Sequence, residues 1–190
     1  MRSTTLSTAA ALLWLALAQV TAAAPLSQSD PDDQLAQTVV RSVNTYPRFT
    51  IFDDVSVQAE SGVVTLTGKV TMPFKRDDIG KRVERLDGVK SLRNEISVLS
   101  VSIEDDRLRQ RIARAIYSNA AFWHYAAMPN PPIHIVVEGS HVKLTGVVFS
   151  EVDRMLALSL ATGMGELSVT NCLKTETRKT PADFRSAGLL

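Results

Sequence analysis

One pattern of leucines, glycines and an asparagine runs from residue 32 to 100 and then again from 105 to 176, and this duplication restricts the fold more than any other feature. In register, Leu35, Val39 and Val43 answer to Leu108, Ile112 and Ile116. Val64, Leu66 and Gly68 answer to Val142, Leu144 and Gly146, and Gly88 and Asn94 answer to Gly165 and Asn171. The separation between partners drifts along the chain. Drift of this kind means short insertions between matched elements, as in tandem domains of roughly 70 residues, not the fixed period of a solenoid. A unit that small can still enclose a core. Cys172 is the only cysteine, so no internal disulfide staples either copy.

Each copy reads as helix, strand, strand, helix, strand. Both open on a polar helix start, Ser29 to Asp32 and Ser102 to Asp105, with serine placed to accept from a free backbone N–H and the acid at the positive helix end. The i, i+4, i+8 spacing of apolar residues then marks one buried helical face. Two alternating strands follow around a tight turn. In copy two the turn at Gly139-Ser140 sets Glu138 opposite His141 and Val137 opposite Val142. Ile133, Ile135, Val137, Val142 and Leu144 then share one face, as do Val55, Val57, Ala59, Val64 and Leu66 in copy one. A second helix, about 73–87 and 150–163, ends at Gly88 or Gly165. The strand after it, 89–99 and 167–175, should return by a right-handed crossover and lie parallel to the second strand. The expected fold class is α+β, two tandem αββαβ modules, each a three-stranded mixed sheet with two helices packed on one face.

The first residues carry a different signal. Arg2, the apolar run Ala9–Ala18 and the small residues before Pro25 are the pattern of a cleaved export signal over residues 1–24. The run is shorter than the ~20 residues that span a bilayer, and no cysteine stands near the cleavage region to accept a lipid. The expected organisation is therefore 1–24 signal peptide, 30–101 first module, 102–176 second module and 177–190 mobile tail. The formal net charge is +1, and removing Arg2 brings it to zero. Nucleic acid is a poor match for an exported, neutral chain.

The run Gly62-Val63-Val64-Thr65-Leu66-Thr67-Gly68-Lys69-Val70, followed by Gly88-Val89-Lys90-Ser91-Leu92-Arg93-Asn94-Glu95-Ile96, resembles the BON domain. That family is named for bacterial osmotically inducible and nodulation-type proteins. The resemblance covers 32–100 and 105–176. Copy two departs from it at Gly139-Ser140-His141, which lacks the Gly-Val step, and at Glu166, which stands where Val89 does. The chain also lacks the lipidation cysteine of some relatives. The resemblance implies a periplasmic binding module, peripheral to the membrane, whose partners are an anionic phospholipid surface or envelope proteins. It implies a role in envelope integrity or osmotic stress, no enzymatic activity and no cofactor.

No nucleophile elbow, metalloprotease helix, phosphate loop or dinucleotide fingerprint is present, so no catalytic residue is assigned. His134 and His141 lie several residues apart along one hairpin face, too far to share a metal, and none is expected. Cys172, on the face of the third strand away from the helices, reads as a small filler or, where that face is exposed, as a thiol able to cross-link two chains. The candidate surface lies in copy two. Arg107, Arg111 and Arg114 share a helical face, and Trp123, Tyr125 and Met128 follow at once, a composition suited to anionic headgroups with amphipathic rings at the interface. The second helix of copy two is apolar around more than one face. Its Val152, Met155, Leu156, Leu158 and Leu160 are expected to pack on copy one or on a partner, a second copy of the chain included. The alternative function is a soluble periplasmic protein-interaction module that binds no lipid.

Overall fold

The structure, a computed structural model, describes residues 30–176. The expected signal peptide and C-terminal tail lie outside the described residues. Copy one runs α1 (Pro31–Asn44), β1 (Asp54–Glu60), β2 (Val63–Val70), α2 (Pro73–Glu84) and β3 (Ser91–Val98). Copy two runs α3 (Ile103–Tyr117), a 3-10 turn at Ala120–Phe122, α4 (Trp123–Ala126), β4 (Ile133–Glu138), β5 (His141–Val148) and α5 (Glu151–Ala161). It closes with β6 (Ser168–Asn171) and β7 (Lys174–Thr175). The αββαβ order holds in both copies. Copy two adds a helical turn before its hairpin and splits its last strand in two.

β1 pairs antiparallel and β3 parallel with β2, in the order β1-β2-β3. β4, β5 and β6 repeat that arrangement, with β7 also parallel to β5. Glu138 faces His141 and Val137 faces Val142, as the tight turn requires. Each sheet buries one face beneath its helices. Leu35, Val39, Val43, Val64, Leu66, Val70, Ile79, Val83 and Ile96 form the first core, and their counterparts from Leu108 to Leu173 form the second. Burial of each such side chain contributes about 1.5–3 kcal/mol.

The helix-start acids differ from expectation. In copy one the cap is Asp30, which accepts from the Asp32 N–H, and Ser29 lies outside the described residues. In copy two Ser102 caps α3 as expected. Asp32 and Asp105, however, turn away from their own helices and accept from the hairpin turns, Asp32 from the Ser61 and Gly62 N–H groups and Asp105 from those of Gly139 and Ser140. Asn94 and Asn171 repeat in the same way, donating to the Arg76 and Arg154 carbonyls at 3.0 and 2.9 Å. The motif residues thus tie helix to hairpin and helix to third strand. Gly68 and Gly146 are needed for space: a Cβ would come within 2.1 Å of the Asp54 carbonyl oxygen or 1.8 Å of that of Pro132. That pairing fixes Asp54 and Pro132 as equivalent positions.

The copies join through their sheets, not through α5. The Ile135 N–H on the free edge of β4 donates to the Ile51 carbonyl at 2.7 Å, and the Phe49 ring lies 5.4 Å from that of His134. Ile51 and Phe52 pack against the core of copy two. Lys143 reaches Asp54 at 3.1 Å, and Lys69 pairs with Glu138. α5 instead packs on α3, β5, β6 and β7 of its own copy. Leu156 and Leu160 lie against that core and Leu158 is half-buried. The inter-module role expected of α5 is therefore corrected: the loop before β1 takes it, because that loop presents the Ile51 carbonyl and the Ile51 and Phe52 side chains to an unpaired strand edge.

Candidate functional site

The outer face of the copy-two helical layer gathers most of the expected binding residues. The two helices run antiparallel: Arg111 donates to the Met164 carbonyl just past α5, and Tyr125, just past α3, donates to Asp153 in the first turn of α5. Leu108, Ile112 and Ile116 turn α3 toward the sheet, so Arg107, Arg111 and Arg114 point away from it and are exposed. No carboxylate pairs with any of the three among the described residues. On α5, Ala157 and Ala161 face inward, which leaves Val152 and Met155 outward at 74% and 52% exposure. Trp123, at the end of α3 nearest α5's start, is 69% exposed.

Tyr125 belongs elsewhere. Its ring is fully buried, its hydroxyl accepts from the Phe149 N–H at 2.6 Å and donates to Asp153 at 2.9 Å, and burial raises its pKa to about 12. The expected surface role of Tyr125 is corrected to a core role, because α4 rolls its ring under α5. Met128 is also drawn in, half-buried against the same core. His124 packs beside the stacked Tyr125 and Phe149 rings, with ring centroids 4.0 and 5.3 Å away. Trp123, edge-on to His124 at 6.3 Å, is left as the outermost ring of this stack.

Two further features were not found by sequence reasoning. The helix-free faces of the sheets converge on an open cleft of about 550 Å³, lined by charges of both signs, Asp54, Lys69, Glu95, Glu138 and Lys143, and by His141. Each strand's alternation placed these side chains away from the helices, but nothing in either repeat specified that the two faces meet. The second is Arg109, which is buried and donates to the Val137 carbonyl at 2.9 Å as well as to Asp106. Its position one residue after the buried Leu108 is the signal that could have separated it from the three exposed arginines.

Among the described residues no group of three or more His, Cys, Asp or Glu side chains could hold a metal ion. His141 bonds to Ser168 at 2.7 Å, while His134 is inserted between the copies, its Nδ1 buried without a partner. Cys172, between β6 and β7, is exposed and free, not a filler. No described helix is long and apolar enough to cross a membrane.

The hairpin-capping acid, the close-approach glycine and the helix-tethering asparagine all fall inside one family model. Residues 31–100 match the BON domain family. That match ends with copy one, and copy two repeats its element order and the Asp and Asn tethers. No curated protein sequence is significantly similar to this chain. Among solved structures, the C-terminal domain of CdsD, the structural protein of the type III secretion system of Chlamydia trachomatis, aligns at 14% identity. The alignment covers 76% of this chain and 66% of that one, with a TM-score of 0.32. A second CdsD structure from the same organism aligns at 13% identity over 73% of this chain and 92% of that one, with a TM-score of 0.26. Superpositions that loose bear on neither fold nor function.

Proposed function

We propose that the protein is an exported, non-enzymatic binding protein of the cell envelope. In this reading copy two is a diverged second BON domain that rests on an anionic phospholipid surface, and copy one is structural or protein-binding. The role is support of envelope integrity or of the response to osmotic stress. The observation that carries the reading is a set of exposed side chains in copy two: Arg107, Arg111 and Arg114, which share one side of α3 without carboxylate partners, together with Trp123, Val152 and Met155. Arginines meet phosphate groups while an indole and aliphatic side chains enter the interfacial region.

Co-sedimentation of the full chain with anionic and zwitterionic vesicles, at low and high salt, tests this. Binding to anionic vesicles that weakens with salt is expected. Charge reversal at the three arginines should reduce it most at low salt, and Trp123→Ala should reduce it at every salt concentration. Because Trp123 is exposed, its replacement should shift folding stability by no more than about 0.5 kcal/mol, so lost vesicle binding cannot be lost folding. Failure to bind either kind of vesicle rejects the lipid reading and leaves a soluble protein-interaction module.

A further inference from the structure

The duplication supplies an internal comparison of two strand edges, one covered and one open. In copy two the free edge of β4 is closed twice: the Ile51 carbonyl takes the Ile135 N–H, and Arg109 donates to the Val137 carbonyl. Ile133, Ile135 and Val137 are fully buried beneath these covers. The register places Val55, Val57 and Ala59 of β1 at the same positions, paired with Gly68, Leu66 and Val64 as their counterparts pair with Gly146, Leu144 and Val142. Neither cover exists there. Ala36 stands where Arg109 does, so no side chain of that position reaches the Ala59 carbonyl, and no backbone carbonyl meets the Val57 N–H among the described residues.

The side chains report the same difference. Val55, Val57 and Ala59 are only half-buried. Beside them on α1, Val40 is 40% exposed, whereas its counterpart Ala113 is 9% exposed. Copy two cannot pass the arrangement on, because the loop equivalent to Phe49–Asp53 is Ala127–Pro131. There Met128 turns into its own core instead of reaching another strand edge.

We propose that the β1 edge, with Ala36 and Val40 above it, is a docking site for an extended apolar segment of another protein. The segment would add its backbone to Val57 and Ala59 and place an aliphatic and an aromatic side chain over Val55 and Val57, as Ile51 and Phe52 pack against the core of copy two. The lipid reading concerns the other copy and an opposite kind of ligand, so either can fail alone.

Amide exchange of the isotope-labelled full chain by NMR tests the premise first. The Val57 amide should exchange at least about tenfold faster than that of Ile135, and equal protection overturns the proposal. The probe is then an end-capped synthetic peptide copying residues 48–52, Arg-Phe-Thr-Ile-Phe, titrated to roughly millimolar concentration, where a Kd near that value is detected. Shifts and new protection confined to Val55–Glu60, absent with a peptide carrying serine for both phenylalanines and the isoleucine, support it. Shifts confined to Ile133–Val137, or none, overturn it. Protection of Val57 that rises with protein concentration in the absence of peptide also overturns it, because the occupant is then a second copy of the chain. Ala36→Arg rebuilds the missing cover at an accessible helix position and should lower peptide affinity about tenfold; unchanged affinity overturns the geometry proposed.

Discussion

Thr71 and its register partner Phe149 start the second helix from the same backbone position, yet their N–H groups are satisfied by different chemistry. Thr71 donates to a buried carboxylate, Asp53, which also takes the Lys75 ammonium at 2.6 Å and both donors of Thr50. Phe149 donates to the Tyr125 hydroxyl, which passes its own proton toward Asp153, the counterpart of Lys75. Copy one therefore holds a buried ion pair where copy two holds a phenol bridge. Burial alone would raise the Asp53 pKa, but the Lys75, Thr71 and Thr50 hydrogen bonds outweigh it and hold the carboxyl below its ordinary value of 3.8. A depressed carboxyl stabilises the fold fully above that value, and the contribution is lost as pH falls through the folded-state pKa. Lys75→Met leaves the carboxylate buried without its cation and should cost about 3–5 kcal/mol in a denaturant melt. Tyr125, by the same comparison, was never free to act at a surface.

At the scale of elements, the loop Phe49–Asp53 does more than connect α1 to β1. The Asp53 network stiffens it, and its outer side chains close the neighbouring copy. Ile51→Ser should therefore leave copy one's amides protected while those of β4, Ile135 above all, exchange at least about tenfold faster, read by hydrogen exchange. Equal loss in both copies would show that the loop supports its own module instead. Much of this level was legible in advance: the two periodicities, the glycine turns and the repeat itself gave both αββαβ orders and the hairpin register. The helix-capping role expected of Asp32 and Asp105 is not theirs, because a carboxylate in the first turn of a helix looks the same in sequence whether it answers its own cap or a turn some 30 residues away. The exposed faces of α3 and α5 followed from helical spacing. The inward roll of Tyr125 did not, since a four-residue helix has too little periodicity to orient a ring.

Across the whole molecule, the placement of one copy on the other could not be read from the repeats, because the residues that make the joint are those at which the copies differ. His134 sits in that joint. Burial lowers its pKa and outweighs the Asp54 and Asp53 charges and the backbone of Asp53 and Thr50 that face it. The joined form thus resists protonation more than the unfolded chain does. Stability from this site is fully present above the ordinary value of 6.5 and declines as pH falls below it toward the folded-state pKa. Thermal melts from pH 7.5 to 5 should show a falling midpoint that His134→Phe flattens; an unchanged slope in the variant would place the titration elsewhere.

The boundary between the copies is different for the sequence and for the folded chain. The repeat divides at residues 101–102, but Ile51 and Phe52, on the first side of that line, complete the core on the second. A fragment starting at Ser102 would expose the β4 edge and its Ile135 N–H, a template for aggregation, while a fragment ending at Val101 would carry a loop with nothing to grip. Dissecting the protein at its apparent seam would make the second half look poorly folded for want of residues that belong to the first.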